Sequence, residues 1–244
     1  MTHRPPAGSA TPARYLIVNA DDFGQCRGIN RGVIRAFERG LVTSASLMVR
    51  WPAAAEAADY ARAHPRLSLG LHLDLGEWIY QDDSWRPRYE VVETDDREAV
   101  GAELDRQLTA FRRLTGRNPT HLDSHQHAHR SEPVGSLVLA IAAELGIPVR
   151  ERSDRVRYCG AFYGQSGKGD PYPEGITGDA FRTILDGLPA GYTELGCHPG
   201  LEVEAGTGYR VERAHEVAVL CHPSTRAALD EAGIFLRSFH DLAG

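Results

Sequence analysis

Tyr15-Leu16-Ile17-Val18-Asn19-Ala20-Asp21-Asp22-Phe23-Gly24 is the stretch of sequence that decides the fold. Its apolar start, residues 15–20, predicts a strand buried on both faces, as in a parallel sheet. Apolar side chains recur at helical spacing over residues 29–37, and Gly40 is a suitable end for that helix. The chain therefore begins with a βα unit whose strand ends in two adjacent carboxylates.

The same alternation of short apolar runs and helical patterns continues to the C-terminus. We predict an α/β fold, a single irregular (β/α) barrel of about seven parallel strands that is similar to a TIM barrel. The further strands are predicted at 42–49, 67–73, 119–123, 147–150, 193–197 and 234–237, the further helices at 53–64, 95–114, 132–145, 179–187, 211–220 and 224–232, and two long loops at 74–94 and 151–176, the second a candidate lid.

The bulk properties indicate one cytoplasmic domain over residues 14–244, behind a disordered tail at 1–13. The chain has 244 residues, of which 42% are hydrophobic and 25% charged, as in ordinary globular proteins. A net charge of −6 gives no support to nucleic-acid binding. The tail has no signal-peptide core, no apolar run is long enough for a membrane span, and the four cysteines form no CxxC pair.

A histidine cluster, Thr120-His121-Leu122-Asp123-Ser124-His125-Gln126-His127-Ala128-His129, follows the predicted fourth strand. It holds four of the eleven histidines, and imidazole and carboxylate groups are ligands of divalent metals. We expect two or three of these groups to bind a metal, with Asp123 orienting a ligand. His121 and His129 are left out of this set, and chance grouping on a solvated loop is the alternative.

Three further polar positions also fall at or near strand ends, where the sites of barrels collect. Asp21 and Asp22 could serve as metal ligand and base, or simply cap a turn. His72 and Asp74 share one face of an alternating run, and His72 could equally be a core residue. His198, before Pro-Gly, suits a general acid or a turn. Together these positions predict a metal-dependent hydrolase.

These segments resemble the YdjC family of carbohydrate deacetylases, also called the ChbG/HpnK type. The match runs in family order over roughly residues 15–240, so it covers nearly the whole chain. Its most specific parts are the first and the fourth of the matching segments, which are 16–24, 40–49, 70–73, 120–127 and 197–200.

The resemblance implies one divalent metal ion, which could be Zn²⁺, Mg²⁺, Co²⁺ or Ni²⁺. Its implied ligands are Asp22, His72 and His125. His127 is expected to line the substrate pocket, or to replace His125 as the second histidine ligand.

The resemblance also implies the catalytic groups. Asp21 is the implied base and His198 the implied acid, and Asp123 lies in a motif of the active centre. Asp74 is expected to face the substrate pocket.

The implied reaction removes the N-acetyl group from an N-acetylated amino sugar or glycoconjugate and releases acetate. The expected partner is therefore a small sugar, and a homodimer is compatible with the sequence. Two alternatives stay open, a metal-dependent phosphoesterase that uses the arginine-rich segment 150–157 as a phosphate clamp, and a catalytically silent sugar-binding protein. Lys168 is the only lysine and lies in a glycine-rich loop, which disfavours carboxylated-lysine and Schiff-base chemistry.

Overall fold

A computed structural model describes residues 12–203 and 209–242 of the chain. The predicted tail lies outside these ranges, except for residues 12 and 13, which lead directly into the first strand. No helix in the described ranges combines the length and the apolarity needed to cross a bilayer.

The described residues contain nine strands and seven α-helices, most of them in alternation. The strands are β1 Arg14–Phe23, β2 Ser44–Leu47, β3 Ser68–Leu73, β4 Gly76–Gln81, β5 Ser84–Glu90, β6 Leu122–Ser124, β7 Val156–Cys159, β8 Gly191–Cys197 and β9 Ile234–Leu236. The helices are α1 Arg27–Arg39, α2 Ala54–Ala63, α3 Arg97–Thr115, α4 Val134–Leu145, α5 Gly178–Gly187, α6 Val211–Leu220 and α7 Pro223–Glu231.

Seven strands form one curled parallel sheet in the order β6-β3-β2-β1-β8-β7, with β9 beside the start of β1. β6 and β7 do not pair with each other in the described residues, so the sheet is a half-barrel rather than a closed ring. The prediction of an irregular barrel of about seven parallel strands is confirmed.

The long strand β1 is the centre of this sheet. It pairs with β8 from Arg14 to Ala20, with β9 at its first three residues, and with β2 from Asn19 onward. Its apolar residues are buried on both faces, because helices cover the outside of the sheet and side chains fill the inside.

Residues 74–94 are not the loop that the sequence predicts, because β4 and β5 form an antiparallel hairpin there. Most of its side chains are exposed, so the strands lack the apolar alternation that reveals a strand in sequence. Asp82 and Asp83 make the turn with φ of 50° and 57°, as turns of this kind between paired strands require.

The prediction was also wrong at the edge of the sheet near β7. Residues 147–150 form no strand, and only Val149 makes an isolated bridge, to Leu122. The strand lies instead at β7, inside the predicted loop 151–176. β7 pairs with β8 alone and buries only Val156 fully, so its sequence carries little apolar signal.

Helix α1 packs directly on the backbone of the loop that follows β8. A Cβ on Gly32 would overlap the backbone of Gly200 and lie 2.7 Å from the Pro199 carbonyl carbon. Since His198 begins this loop, the absence of a side chain at Gly32 fixes where that histidine stands.

Gly32→Ala is expected to destabilise the protein by about 1–3 kcal/mol, because the new methyl group meets backbone that cannot turn away. The measurement is the free energy of unfolding in urea. The matched control is Gly101→Ala on α3, where a Cβ meets nothing within 4 Å. That variant should gain roughly 0.4–1 kcal/mol. Equal effects of the two substitutions would contradict this account of the packing.

Candidate active site

A cavity of about 740 Å³ opens at the carboxyl ends of the central strands. Asp21 and Asp22 reach it from β1, His72 from β3, His125 from the turn after β6, and His198 from the loop after β8. The hairpin β4–β5 and the segment 158–169 form further walls. The predicted clusters therefore meet at one place, as the parallel topology requires.

Asp22, His72 and His125 bring three potential metal ligands together. The Asp22 Oδ1 atom lies 3.4 Å from His72 Nε2 and 3.2 Å from His125 Nδ1. All three ligand atoms lie within 4.8 Å of one another. Ligands about 2.0–2.2 Å from a common Zn²⁺ ion are separated by similar distances, so the donor set fits a divalent cation.

The hydrogen bonding around Asp22 supports the same interpretation. Its Oδ2 accepts a 2.6 Å hydrogen bond from Arg213 Nη2, whereas Oδ1 is buried without a hydrogen-bond partner. Burial alone would raise the pKa of Asp22, but Arg213 and the neighbouring His125 and His72 outweigh it and hold the pKa well below its usual range. A charged carboxylate oxygen is thus free to face the two imidazoles.

The backbone explains how two adjacent carboxylates serve one cavity. Neighbouring side chains of an extended strand point to opposite faces, but Asp22 has a φ of 63°, in the left-handed region. The chain turns at this residue, so that Asp21 and Asp22 both line the cavity.

Asp123 lies behind His72 and orients it. His72 Nδ1 is 2.8 Å from Asp123 Oδ1, which leaves Nε2 directed at Asp22. Ser46 donates a 2.6 Å hydrogen bond to the other oxygen of Asp123. Burial lowers the pKa of His72, yet the Asp123 and Asp21 carboxylates raise it well above its usual value overall. A raised pKa means that the His72 imidazole holds its second proton more tightly. A divalent cation bound at Nε2 would replace the proton on that nitrogen.

Asp21 is held by Arg150 in a two-pronged ion pair. Nη1 and Nη2 of Arg150 donate to the two Asp21 oxygens at 2.6 and 2.7 Å. The same guanidinium contacts Asp123 at 2.8 Å and Glu194 at 2.7 Å. Burial opposes ionisation of Asp21, but Arg150 lowers its pKa overall, so the carboxylate is charged at neutral pH. Glu194 differs, because burial raises its pKa to about 7.

His198 lines the same cavity, with Nε2 3.8 Å from Asp21 Oδ2. Its backbone N–H donates to Glu216 Oε2 at 2.5 Å, and Arg213 Nη1 donates to its carbonyl at 3.3 Å. Helix α6 thereby fixes the loop. Burial lowers the pKa of the His198 imidazole to about 4, although Asp21 and Asp22 oppose the shift.

A family model described as YdjC-like protein matches residues 15–231. The chain belongs to the YdjC-like family. The resemblance predicted from the sequence is therefore confirmed.

Relatives of this YdjC-like protein carry deacetylase names. A carbohydrate deacetylase of Geobacillus stearothermophilus is 34% identical over 93% of this chain and 98% of that protein. A chitooligosaccharide deacetylase of Serratia marcescens is 33% identical over 94% of this chain and 99% of that protein.

Solved structures share the fold of this YdjC-like protein. A crystal structure of an Enterococcus faecalis V583 protein, to which cellobiose-phosphate cleavage has been ascribed, superimposes with a TM-score of 0.78 at 27% identity, over 95% of this chain and 100% of that one. A family 4 carbohydrate esterase of Streptomyces lividans in complex with acetate has a TM-score of 0.53 at 13% identity, over 93% of each chain. This second likeness concerns the fold alone.

Of the two predicted pocket residues of the YdjC-like protein, His127 lines the cavity and Asp74 does not. The Nδ1 atom of His127 faces Glu151 and not Asp22, so His125 is the histidine that joins His72. Asp74 is buried outside the cavity lining, where it accepts hydrogen bonds from Arg50, Trp51 and Tyr89. Strand β3 ends one residue earlier, so the alternation that would turn Asp74 toward the pocket stops before it.

The histidines excluded from the metal set are indeed apart from Asp22. His121 stacks on Phe239 with ring centroids 3.8 Å apart, and its Nε2 lies 3.0 Å from Ser46 Oγ. Burial lowers its pKa to about 4. His129 is fully buried beside Ser124.

Sequence reasoning missed three polar residues of the site. Arg213 and Tyr209 line the cavity, and Glu216 lies behind them. Glu216 accepts hydrogen bonds from Tyr209 and the His198 N–H, and burial raises its pKa to about 8. Arginine is so common in this chain that no single one is informative, and spacing on α6 gives no further signal. The sequence indicates Arg150 only as part of a possible phosphate clamp.

Replacing Arg150 by Met is expected to cost roughly 3–5 kcal/mol of unfolding free energy at pH 7, because buried carboxylates lose their cation. The pKa values of Asp21 and Asp123 are lowered in the folded protein. Their stabilisation is therefore present above the unfolded pKa of about 3.9 and is lost as the pH falls through the folded values. In the variant they protonate at higher pH, so the deficit should shrink between pH 7 and pH 4.

The measurement is urea unfolding of both proteins across that pH range. Arg182→Met is the matched control, since Arg182 pairs with Glu231 on the surface at 2.8 Å and exposed pairs contribute little. A deficit that stays constant from pH 7 to pH 4 would show that the carboxylates are not the cause.

Proposed function

We propose that this protein is a metal-dependent hydrolase that removes the acetyl group from an N-acetylated amino sugar or glycoconjugate. The observation that carries the proposal is the convergence of Asp22, His72 and His125 on one point, with Asp21 and His198 beside it in the same cavity. A protein that only binds sugar needs neither a base nor an acid at such a place. The names of the homologous deacetylases agree with this chemistry.

Asp22, His72 and His125 would hold the divalent ion. When bound there, the ion supplies Lewis acidity, which polarises the amide carbonyl and makes water easier to deprotonate. One carboxylate and two imidazoles do not cancel the charge of a dication, so its Lewis acidity persists. Two nitrogen ligands favour Zn²⁺, Co²⁺ or Ni²⁺ over Mg²⁺.

Asp21 acts as the general base in this proposal. It is ionised and faces the cavity, and Arg150 and Asn19 fix its orientation. The hydrogen bonds from Arg150 and Asn19 stabilise the charged carboxylate, so Asp21 is a weak base. It therefore takes a proton only from a water that has already been made acidic, while that water attacks the acetamide carbon.

His198 acts as the general acid. Its Nε2 lies 3.8 Å from Asp21 Oδ2, so the proton taken from water can pass between them after a small movement. Burial lowers its pKa to about 4, and a proton on this imidazole is transferred readily to the departing amine. The C–N bond then breaks, and the products are acetate and a free amino sugar.

The cavity walls suit a sugar ring. The hairpin contributes Trp78, Tyr80 and Trp85 to these walls. Beside His198, the ring of Tyr163 stacks on that of Tyr209, with the ring centroids 4.7 Å apart. Aromatic faces bury the apolar face of a pyranose, while the polar groups at the base of the cavity remain free for its substituents.

The arginine-rich segment 150–157 does not favour the phosphoesterase alternative. Arg150 is fully engaged by carboxylates, and Arg152, Arg155 and Arg157 donate to backbone carbonyls. None of these four arginines is among the described residues that line the cavity, so the segment supplies no phosphate clamp at the candidate active site.

Acetate release from N-acetylated sugars should stop on treatment with a chelator and return with added Zn²⁺ or Co²⁺. Asp21→Asn should reduce kcat by at least about 10²-fold while the metal content stays unchanged. Asp22→Asn should lose both activity and metal. The measurements are an acetate assay and elemental analysis after dialysis. Near-normal turnover by Asp21→Asn would refute the base assignment. Release of phosphate from a sugar phosphate, with no acetate released from N-acetylated sugars, would refute the reaction.

Trp85→Ala should raise KM for an N-acetylated disaccharide about 10- to 150-fold, on the basis of roughly 1.5–3 kcal/mol for burying a large apolar side chain. It should change KM for the monosaccharide much less, because Trp85 lies on the outer hairpin and is 56% exposed. Tyr172→Ala is the matched control, since Tyr172 is 51% exposed but is not among the residues that line the cavity. Equal losses on both substrates would contradict a role for Trp85 in contacting a second ring.

A further inference from the structure

His127, His129 and Glu151 form a second convergence of possible metal ligands, separate from Asp22. They lie on the turn after β6 and on the segment that follows Arg150. Glu151 Oε2 is 3.6 Å from His127 Nδ1 and 3.8 Å from His129 Nε2, and the three atoms lie within 4.8 Å of one another.

The contacts inside this cluster leave two of its nitrogens, His127 Nδ1 and His129 Nε2, without a hydrogen-bond partner. Distances of 3.6 and 3.8 Å are too long for hydrogen bonds. The two nitrogens that face Glu151, His127 Nδ1 and His129 Nε2, are both buried. An unpartnered buried nitrogen costs stability, and two that face one carboxylate oxygen require something between them.

The surroundings of His129 prepare it as a ligand. Its side chain is fully buried, and Nδ1 lies 2.6 Å from Ser124 Oγ. If Nδ1 carries the proton and donates it to Ser124, the lone pair of Nε2 faces Glu151. Metal-binding histidines are held in this way by a partner on the other nitrogen.

Glu151 is likewise held from behind. Arg130 contacts both of its oxygens at 2.5 Å, which fixes the carboxylate and still leaves a lone pair on Oε2. The site has a route of access, because His127 lines the main cavity and its side chain is 26% exposed.

The backbone is strained at the two less buried ligands. His127 has a φ of 55° and Glu151 a φ of 62°, although neither is glycine. Left-handed conformations are unfavourable for residues other than glycine and persist where a function or the surrounding contacts maintain them. Here they turn the two side chains toward His129.

We propose that His127, His129 and Glu151 bind a second divalent ion of the Zn²⁺, Co²⁺ or Ni²⁺ class. Two imidazoles and one carboxylate suit these ions better than Mg²⁺ or Ca²⁺, which prefer oxygen ligands. The site is distinct from the Asp22 site and does not depend on the proposed deacetylation. An ion held here would also fix the turn that carries His125.

The experiment is equilibrium dialysis of metal-free protein against Co²⁺, with the bound metal measured by elemental analysis. Wild type is expected to bind two ions per chain. Glu151→Gln and His129→Gln should each bind one, and Asp22→Asn should also bind one. Asp22→Asn combined with Glu151→Gln should bind none.

His215→Gln is the matched control, because His215 is exposed on α6, and it should retain two ions. Glu151 is at the surface, so its variant tests the site even if the buried His129 variant fails to fold, as judged by circular dichroism. A single ion in wild type, unchanged in Glu151→Gln, would overturn the proposal and indicate that water fills the space. Two ions in Glu151→Gln would overturn it as well.

Discussion

A single buried guanidinium, that of Arg150, joins carboxylates from three strands. Asp21 comes from β1, Asp123 from β6 and Glu194 from β8, and all three carboxylates contact it within 2.8 Å. Without this cation their mutual repulsion in a buried place would separate the strand ends or protonate the acids. The ion pairs of Arg150 therefore hold β1, β6 and β8 together beside the cavity, although the sheet is not closed. The rest of the site is arranged around this cluster.

Two arginines give two adjacent aspartates different properties. Arg150 occupies both oxygens of Asp21, whereas Arg213 occupies only Oδ2 of Asp22 and leaves Oδ1 unpartnered. The first carboxylate is thus fixed beside His198, and the second keeps an oxygen for the two imidazoles. The left-handed backbone at Asp22 allows both to share one cavity. Two identical side chains therefore differ in their free oxygens and in their neighbours, because their hydrogen-bond partners and backbone conformations differ.

The parts of the molecule that follow a strong apolar period were predictable from sequence. β1 and its helix, the parallel sheet and the meeting of the strand ends all come from this period. The hairpin and β7 were missed because exposed strands at an edge carry no such period. Arg150 and Arg213 were missed for another reason. Their importance comes from long-range pairs, such as Arg213 with Asp22 across 191 positions of the chain, and no local pattern records such a pair.

The hairpin β4–β5 is attached to the barrel through Asp74, which receives hydrogen bonds from Tyr89 within the hairpin and from Trp51 and Arg50 on the barrel side. It carries the outer aromatic side chains but neither of the two histidines, His72 and His125, that face the Asp22 Oδ1 atom. Its inner end also contacts the turn that carries His125, through two hydrogen bonds between the Trp78 backbone and the Gln126 amide and through Glu77 Oε2, which lies 3.9 Å from His125 Nε2. The outer turn at residues 82–85 makes none of these contacts, so it can change in length or sequence without reaching His125. If the proposed function holds, evolution can alter substrate recognition at the tip of the hairpin independently of bond cleavage.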